Sequence, residues 1–169
     1  MAEPPPSRST ASSPAASPDD PAAAALAAAV AYLARAARSR AEVTRHLEAA
    51  GFAAETVDAT IATVAVRGYV DDAAFAERRA EQLMLRGGAG RLKVAFELTR
   101  RGLTDTVIDR AIAGVLEGRS EAALGRNVLR RRFWNELPAT RAARAKAFRF
   151  LVGRGHPPEI VSEILGEDD

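Results

Sequence analysis

From residue 22 onward, apolar positions recur at helical spacing. Val43 and Leu47 stand four apart, and Val57, Ile61 and Val64 mark one face at i, i+4 and i+7. Val94 with Leu98, and Val107, Ile108, Ile112 and Leu116, continue the same period. Only residues 64–70 leave the choice between helix and strand open. Further helical stretches are expected over residues 22–37, 71–86 and 120–134. Boundary residues agree with this reading. Ser39 followed by Glu42 forms a capping box, and Thr104 opens a helix beside Asp105. Pro138 and Pro157 suit first-turn positions. Gly51, Gly102 and Gly155 each follow a helical run, where a left-handed residue closes the helix.

Those glycines expose an internal repeat. Adding 51 to Val43, Leu47, Gly51, Val57 and Ile61 gives Val94, Leu98, Gly102, Ile108 and Ile112. Adding 53 to Leu98, Gly102, Ile108 and Ile112 gives Leu151, Gly155, Val161 and Leu165. Leu-x3-Gly-apolar-x4-apolar-x3-apolar thus occurs three times, loosening at His156 in the third copy. The expected fold is all-α: a tandem, elongated array of three three-helix repeats over residues 22–69, 70–118 and 119–169. Units this small stabilise one another by stacking. The long exposed face of such an array suits extended partners better than small molecules.

Composition adds the ends. Six of the nine prolines lie within residues 1–21 with five serines, so this segment cannot offset its ordering entropy and reads as a disordered leader. It lacks the basic start and apolar stretch of a secretory signal. The apolar run over residues 22–34 is too short and alanine-rich to span a bilayer. Without cysteine there is no disulfide framework or thiolate site, and a cytoplasmic location is expected.

Charge is unevenly distributed. Basic and acidic residues nearly balance up to residue 118, whereas residues 119–154 hold ten basic against two acidic residues, before a short acidic tail at 167–169. Arg126, Arg130, Arg131, Arg132, Arg141, Arg144, Lys146, Arg149 and Arg154 form this cluster, which suits phosphate or an acidic protein surface. A second cluster, Arg86, Arg91 and Lys93, surrounds a glycine-rich loop expected to be flexible, with Arg100 and Arg101 at the end of the next helix. The loop lacks the spacing of a phosphate-binding Walker motif.

Nothing converges as a catalytic or metal site, and neither an enzyme nor a cofactor is expected. His46 reads as a surface or boundary residue and His156 as a packed, partly buried one. Asp71 and Asp72 open a helix, where acids favour the N-terminus. Tyr69 is expected to pack between units, and Phe133 and Trp134 to anchor the third.

The segment Gly68-Tyr69-Val70-Asp71-Asp72-Ala73-Ala74-Phe75-Ala76, followed by Arg86-Gly87-Gly88, Gly90-Arg91 and Glu97-Leu98-Thr99-Arg100-Arg101-Gly102, resembles the RecX family of bacterial recombination regulators. The stretches 39–43 and 149–155 fit it too, and the resemblance covers about residues 30–165. It implies tandem three-helix repeats in which Gly68, Tyr69, Asp71, Asp72, Phe75 and Gly102 are structural. It also implies a non-enzymatic protein that binds the RecA recombinase filament on single-stranded DNA; with no coiled-coil heptads in the sequence, a monomer is expected. Such a protein mostly inhibits ATP hydrolysis, strand exchange and coprotease activity in repair and the SOS response, with at most weak direct contact to DNA. Arg86, Arg91, Lys93, Arg100, Arg101, Arg126, Arg130, Arg131, Arg132, Arg144, Lys146, Arg149 and Arg154 are the candidate filament contacts. Arg79 departs from the family, which usually has an aromatic near this position. The alternative is a winged-helix DNA-binding module, with helices over 40–50 and 54–66 and a strand over 64–70. The balanced charge of the first unit argues against it, because duplex affinity rests largely on phosphate neutralisation.

Overall fold

A computed structural model of the chain describes residues 20–133 and 140–166, and all regular structure among them is helical. The expectations for residues 1–19, Trp134, Pro138 and the acidic tail fall outside these residues. Helix α1 spans Pro21–Leu33, α2 Arg40–Ala49, α3 Ala54–Val66, α4 Asp72–Glu81, α5 Arg91–Arg100, α6 Asp105–Leu116, α7 Glu121–Arg132, α8 Arg141–Val152 and α9 Pro158–Leu165. A π-helical turn, Gln82–Arg86, prolongs α4.

Several boundaries move. Residues 20 and 21, expected in the leader, start α1: the Asp20 carboxylate caps it and Pro21 opens it, both favoured at these positions. The same helix stops at Leu33 rather than residue 37, with Ala34 as its cap. Residues 64–66 complete α3, and Gly68 (φ 71°) closes it, which removes the strand of the winged-helix alternative. Pro158, not Pro157, holds the first-turn position of α9.

Each group of three helices folds by one scheme. The third helix packs on both others, pairing α3 with α1 and α2, α6 with α4 and α5, and α9 with α7 and α8. The repeat residues supply the cores. Val43, Leu47, Val57, Ile61 and Val64 are buried with Ala25, Ala29 and Val70. Val94, Leu98, Leu103, Ile108 and Ile112 are buried with Phe75 and Met84, and Leu151, Val161 and Leu165 with Ala122 and Leu129.

The three repeat glycines have φ values of 88°, 81° and 84°. After each, the next amide reaches back to the leucine of the motif: Phe52 to Leu47 (3.3 Å), Leu103 to Leu98 (3.3 Å) and His156 to Leu151 (3.2 Å). This six-residue closure needs a left-handed residue, which glycine supplies at no steric cost. His156 therefore packs where the other copies place Phe52 and Leu103.

Gly114 has no such role. It lies within α6 with open space where a side chain would start. Gly114→Ala is expected to raise the unfolding free energy by about 0.5–1 kcal/mol, measured by urea denaturation.

Candidate functional site

The three groups meet at two junctions that repeat one design. At the first, α2 begins against the second group. The Ser39 hydroxyl accepts from the Glu42 amide, completing the capping box, and donates to the Arg101 carbonyl at 2.6 Å. The Arg40 amide donates to the Asp72 carboxylate at 2.8 Å, and Gly102 lies so close to Ala41 that a Cβ there would overlap it. At the second junction, α5 begins against the third group. The Gly90 amide donates to the Arg154 carbonyl and the Leu92 amide to the Gly155 carbonyl, both at 3.0 Å. The Arg91 amide donates to the Glu121 carboxylate at 3.0 Å. In both cases the start of a middle helix is satisfied by the next group's first-helix acid and closing glycine turn, which answers its otherwise orphaned amides.

Consequently α8 leads into the start of α5, and α5 into the start of α2. The glycine loop expected to be flexible is a packed wedge in this arrangement. Gly88, Ala89 and Gly90 are buried, and a Cβ on Gly88 would overlap Val128. Glycine permits the close approach that this wedge requires.

Glu121, which sequence reasoning passed over, is central to the second junction. It is 5% exposed and also takes the Arg91 Nε at 2.7 Å. Its Oε1 lies 3.4 Å from Nδ1 of His156, itself 1% exposed. Burial raises the Glu121 pKa, but the His156 ring and the Arg91 amide and guanidinium outweigh it and hold the carboxyl below its ordinary value. The available signal was the repeat register, which carries Arg40 onto Arg91 and so demands an acid at the start of α7.

An arginine-lined groove lies beside each junction. The first, of about 300 Å3, is lined by Arg38, Arg78, Arg79 and Arg101 with Phe75 and Ala37. Here carboxylates answer three of the four cations, Arg38, Arg79 and Arg101. Arg79 and Arg101 share Glu97 at 3.0 and 3.5 Å, and Arg101 also holds Glu42 at 3.0 Å. The hydrogen bond from Arg79 keeps the Glu97 carboxyl below its ordinary value despite partial burial. Arg79 is thus tied into an ion pair, and Arg101 also lies 5.6 Å over the Phe75 ring. The second groove, of about 230 Å3, is lined by Arg86, Arg131, Arg132 and Arg154 with Val128 and Phe150. Arg154 donates to the Gly87 carbonyl at 2.7 Å and stacks over Phe150 at 4.8 Å.

The remaining candidates separate by exposure. Lys93 and Arg100 are exposed on α5, Arg100 lying 5.8 Å over the exposed Phe96 ring. Arg91 is held by Glu121, and Arg126 reaches Glu163 at 3.4 Å. Arg130 on α7 and Arg144, Lys146 and Arg149 on α8 are exposed. Asp71 caps α4 through the Ala74 amide at 3.0 Å, whereas Asp72 serves the first junction. Tyr69 does not pack between units: it is 53% exposed, because the turn at Gly68 carries Val70 into the core instead. His46 is half-buried, stacked on Tyr32 with ring centroids 4.0 Å apart.

Known proteins share the three-helix domains and the fold. Residues 25–63 match the family description "RecX, first three-helix domain" and residues 71–112 "RecX, second three-helix domain". The chain is 32% identical over 145 residues to "Regulatory protein RecX" of Chlorobaculum tepidum, covering 83% of this chain and 88% of the relative. The chain belongs to the RecX family. It is also 35% identical over 136 residues to "Regulatory protein RecX" of Mycolicibacterium vanbaalenii, covering 76% and 73% of the two chains. The crystal structure of RecX from Lactobacillus salivarius has the same fold, with a TM-score of 0.72 at 19% identity over 87% of this chain and 96% of that one. The RecX family is therefore one of regulatory proteins built from three-helix domains, as the repeat and the motif around Asp71 led us to expect. Among the described residues, no helix is long and apolar enough to cross a membrane.

Proposed function

We propose that the chain regulates the RecA recombinase by binding its filament on single-stranded DNA, restraining ATP hydrolysis and strand exchange without catalysis of its own. It would act in the cytoplasm as a monomer. Membership of a family of regulatory proteins supports the reading, and one structural observation carries it. The second group ties three of its eight basic residues, Arg79, Arg91 and Arg101, to Glu97, Glu121 and Glu42. The third group instead leaves Arg130, Arg131, Arg132, Arg141, Lys146 and Arg149 exposed on two helices. Charge presented this way accelerates encounter with an anionic partner. An array that touches several filament subunits also gains avidity from modest contacts.

The deciding measurement is RecA ATP hydrolysis on single-stranded DNA, titrated with this protein. Suppression well below one molecule per recombinase is expected; no suppression, together with binding to naked duplex, would favour a DNA-binding module. Arg130→Glu with Arg131→Glu is expected to weaken filament binding about tenfold while leaving helical content unchanged by circular dichroism. Unaltered affinity would remove this face from the interface.

A further inference from the structure

The two junction grooves share one arginine framework and differ most in their carboxylates. Each combines a pair of neighbouring arginines from its group's first helix with the arginine that precedes the closing glycine, Arg101 in one and Arg154 in the other. In the first groove, two carboxylates complete the set. Glu97 bridges Arg79 and Arg101, and Glu42 takes the other side of Arg101. The offsets that superpose the repeats carry Glu97 onto Phe150 and Glu42 onto Lys93. Both acids are therefore lost from the second groove, one to an aromatic ring and the other to a further cation. Among the described residues, no carboxylate pairs with Arg86, Arg131, Arg132 or Arg154.

We propose that the second groove receives an acidic side chain of a protein partner, taking the place that Glu97 fills within the first. The first groove is the template, since Glu97 Oε1 there takes a hydrogen bond from Arg79 at 3.0 Å and pairs with Arg101 at 3.5 Å. Charge-assisted guanidinium–carboxylate contacts are the strong members of their class. The walls favour a side chain over a phosphodiester. Val128 and the Phe150 ring give an aliphatic stem something apolar to lie against, and Arg154 is already fixed by the Gly87 carbonyl and by stacking on Phe150. A site preorganised in this way loses less entropy when its ligand arrives. The proposal rests on the filament-binding reading above, and it assigns the groove to aspartate or glutamate on the recombinase rather than to the DNA.

The experiment returns the missing acid. In the full chain, Phe150→Glu places a carboxylate at the position equivalent to Glu97, so that the groove fills itself. Arg131→Ala with Arg132→Ala empties it from the exposed side and serves as the second variant should Phe150→Glu fold poorly. Binding of each is measured to RecA filaments on single-stranded DNA and, separately, to the same DNA naked. Both variants are expected to lose about tenfold or more in filament affinity, with binding to naked DNA unchanged. Wild-type filament affinity in both folded variants would overturn the groove while leaving the filament reading intact. A parallel loss on naked DNA would assign the groove to phosphate and overturn the carboxylate. Failure of the wild-type protein to bind filaments would overturn the filament reading and this proposal with it.

Discussion

Gly90→Ala is expected to lower the unfolding free energy by about 2–3 kcal/mol, because the methyl group has nowhere to go. The Gly90 backbone, at φ −79° and ψ 167°, is ordinary for alanine, so no conformational penalty enters. A Cβ there would instead overlap the Gly155 carbonyl and the His156 amide. These neighbours are backbone and cannot rotate aside, so the junction must open. Opening stretches the bonds from the Gly90 and Leu92 amides to the third group, each worth about 0.5–1.5 kcal/mol net. Urea denaturation followed by circular dichroism measures the loss. An unchanged midpoint would mean that the second junction yields freely and contributes little. The equivalent test at Gly155 would be ambiguous, since its φ of 84° penalises any side chain whatever its surroundings.

Glu121→Ala is expected to cost a similar amount, about 2–3 kcal/mol, for an electrostatic reason. The substitution removes the acceptor for the Arg91 amide and guanidinium and leaves buried His156 without the carboxylate beside it. Arg91 is 45% exposed and can turn to water, which keeps the cost below that of a fully buried pair. The effect depends on pH, and its sign follows from the direction of the shift. The folded protein holds the Glu121 carboxyl below its ordinary value of 4.5, so its contribution is complete at neutral pH. As acid is added, the unfolded chain takes up this proton first. The gap between wild type and variant should therefore shrink once the pH falls below 4.5, and close below the folded value. A gap that stayed constant down to pH 3 would show that Glu121 acts through packing rather than charge.

The helices were legible in the sequence because their signals are local. Apolar spacing, the Ser39–Glu42 box and a glycine after each leucine are all written within a few residues of the structure they specify. The cores followed because the repeat placed Val94, Leu98 and Ile108 where Val43, Leu47 and Val57 lie. The errors have long-range causes. The π-helical turn at Gln82–Arg86 reads as plain helix, and the glycines after it as a flexible loop, because only the third group shows what they pack against. Tyr69 is expected to pack between units, whereas the turn at Gly68 carries Val70 into the core instead. Single arginines were collected by type, although their roles depend on acids far away in sequence. Arg101 and Arg91 proved to be occupied by Glu42 and Glu121, 59 and 30 residues distant.

The junctions also bear on how a chain of this kind changes length. Each group offers its successor the amides at the start of its middle helix, and offers its predecessor a first-helix acid and a closing turn. A duplicated group spliced between two others would bring both halves of the contact and leave every donor and acceptor matched. A segment cut at any other period would strand a carboxylate on one side and amides on the other. Insertions and deletions in such a gene should therefore be tolerated in steps of a whole group, some fifty residues at a time, with the outer groups free to diverge where they have no neighbour to satisfy.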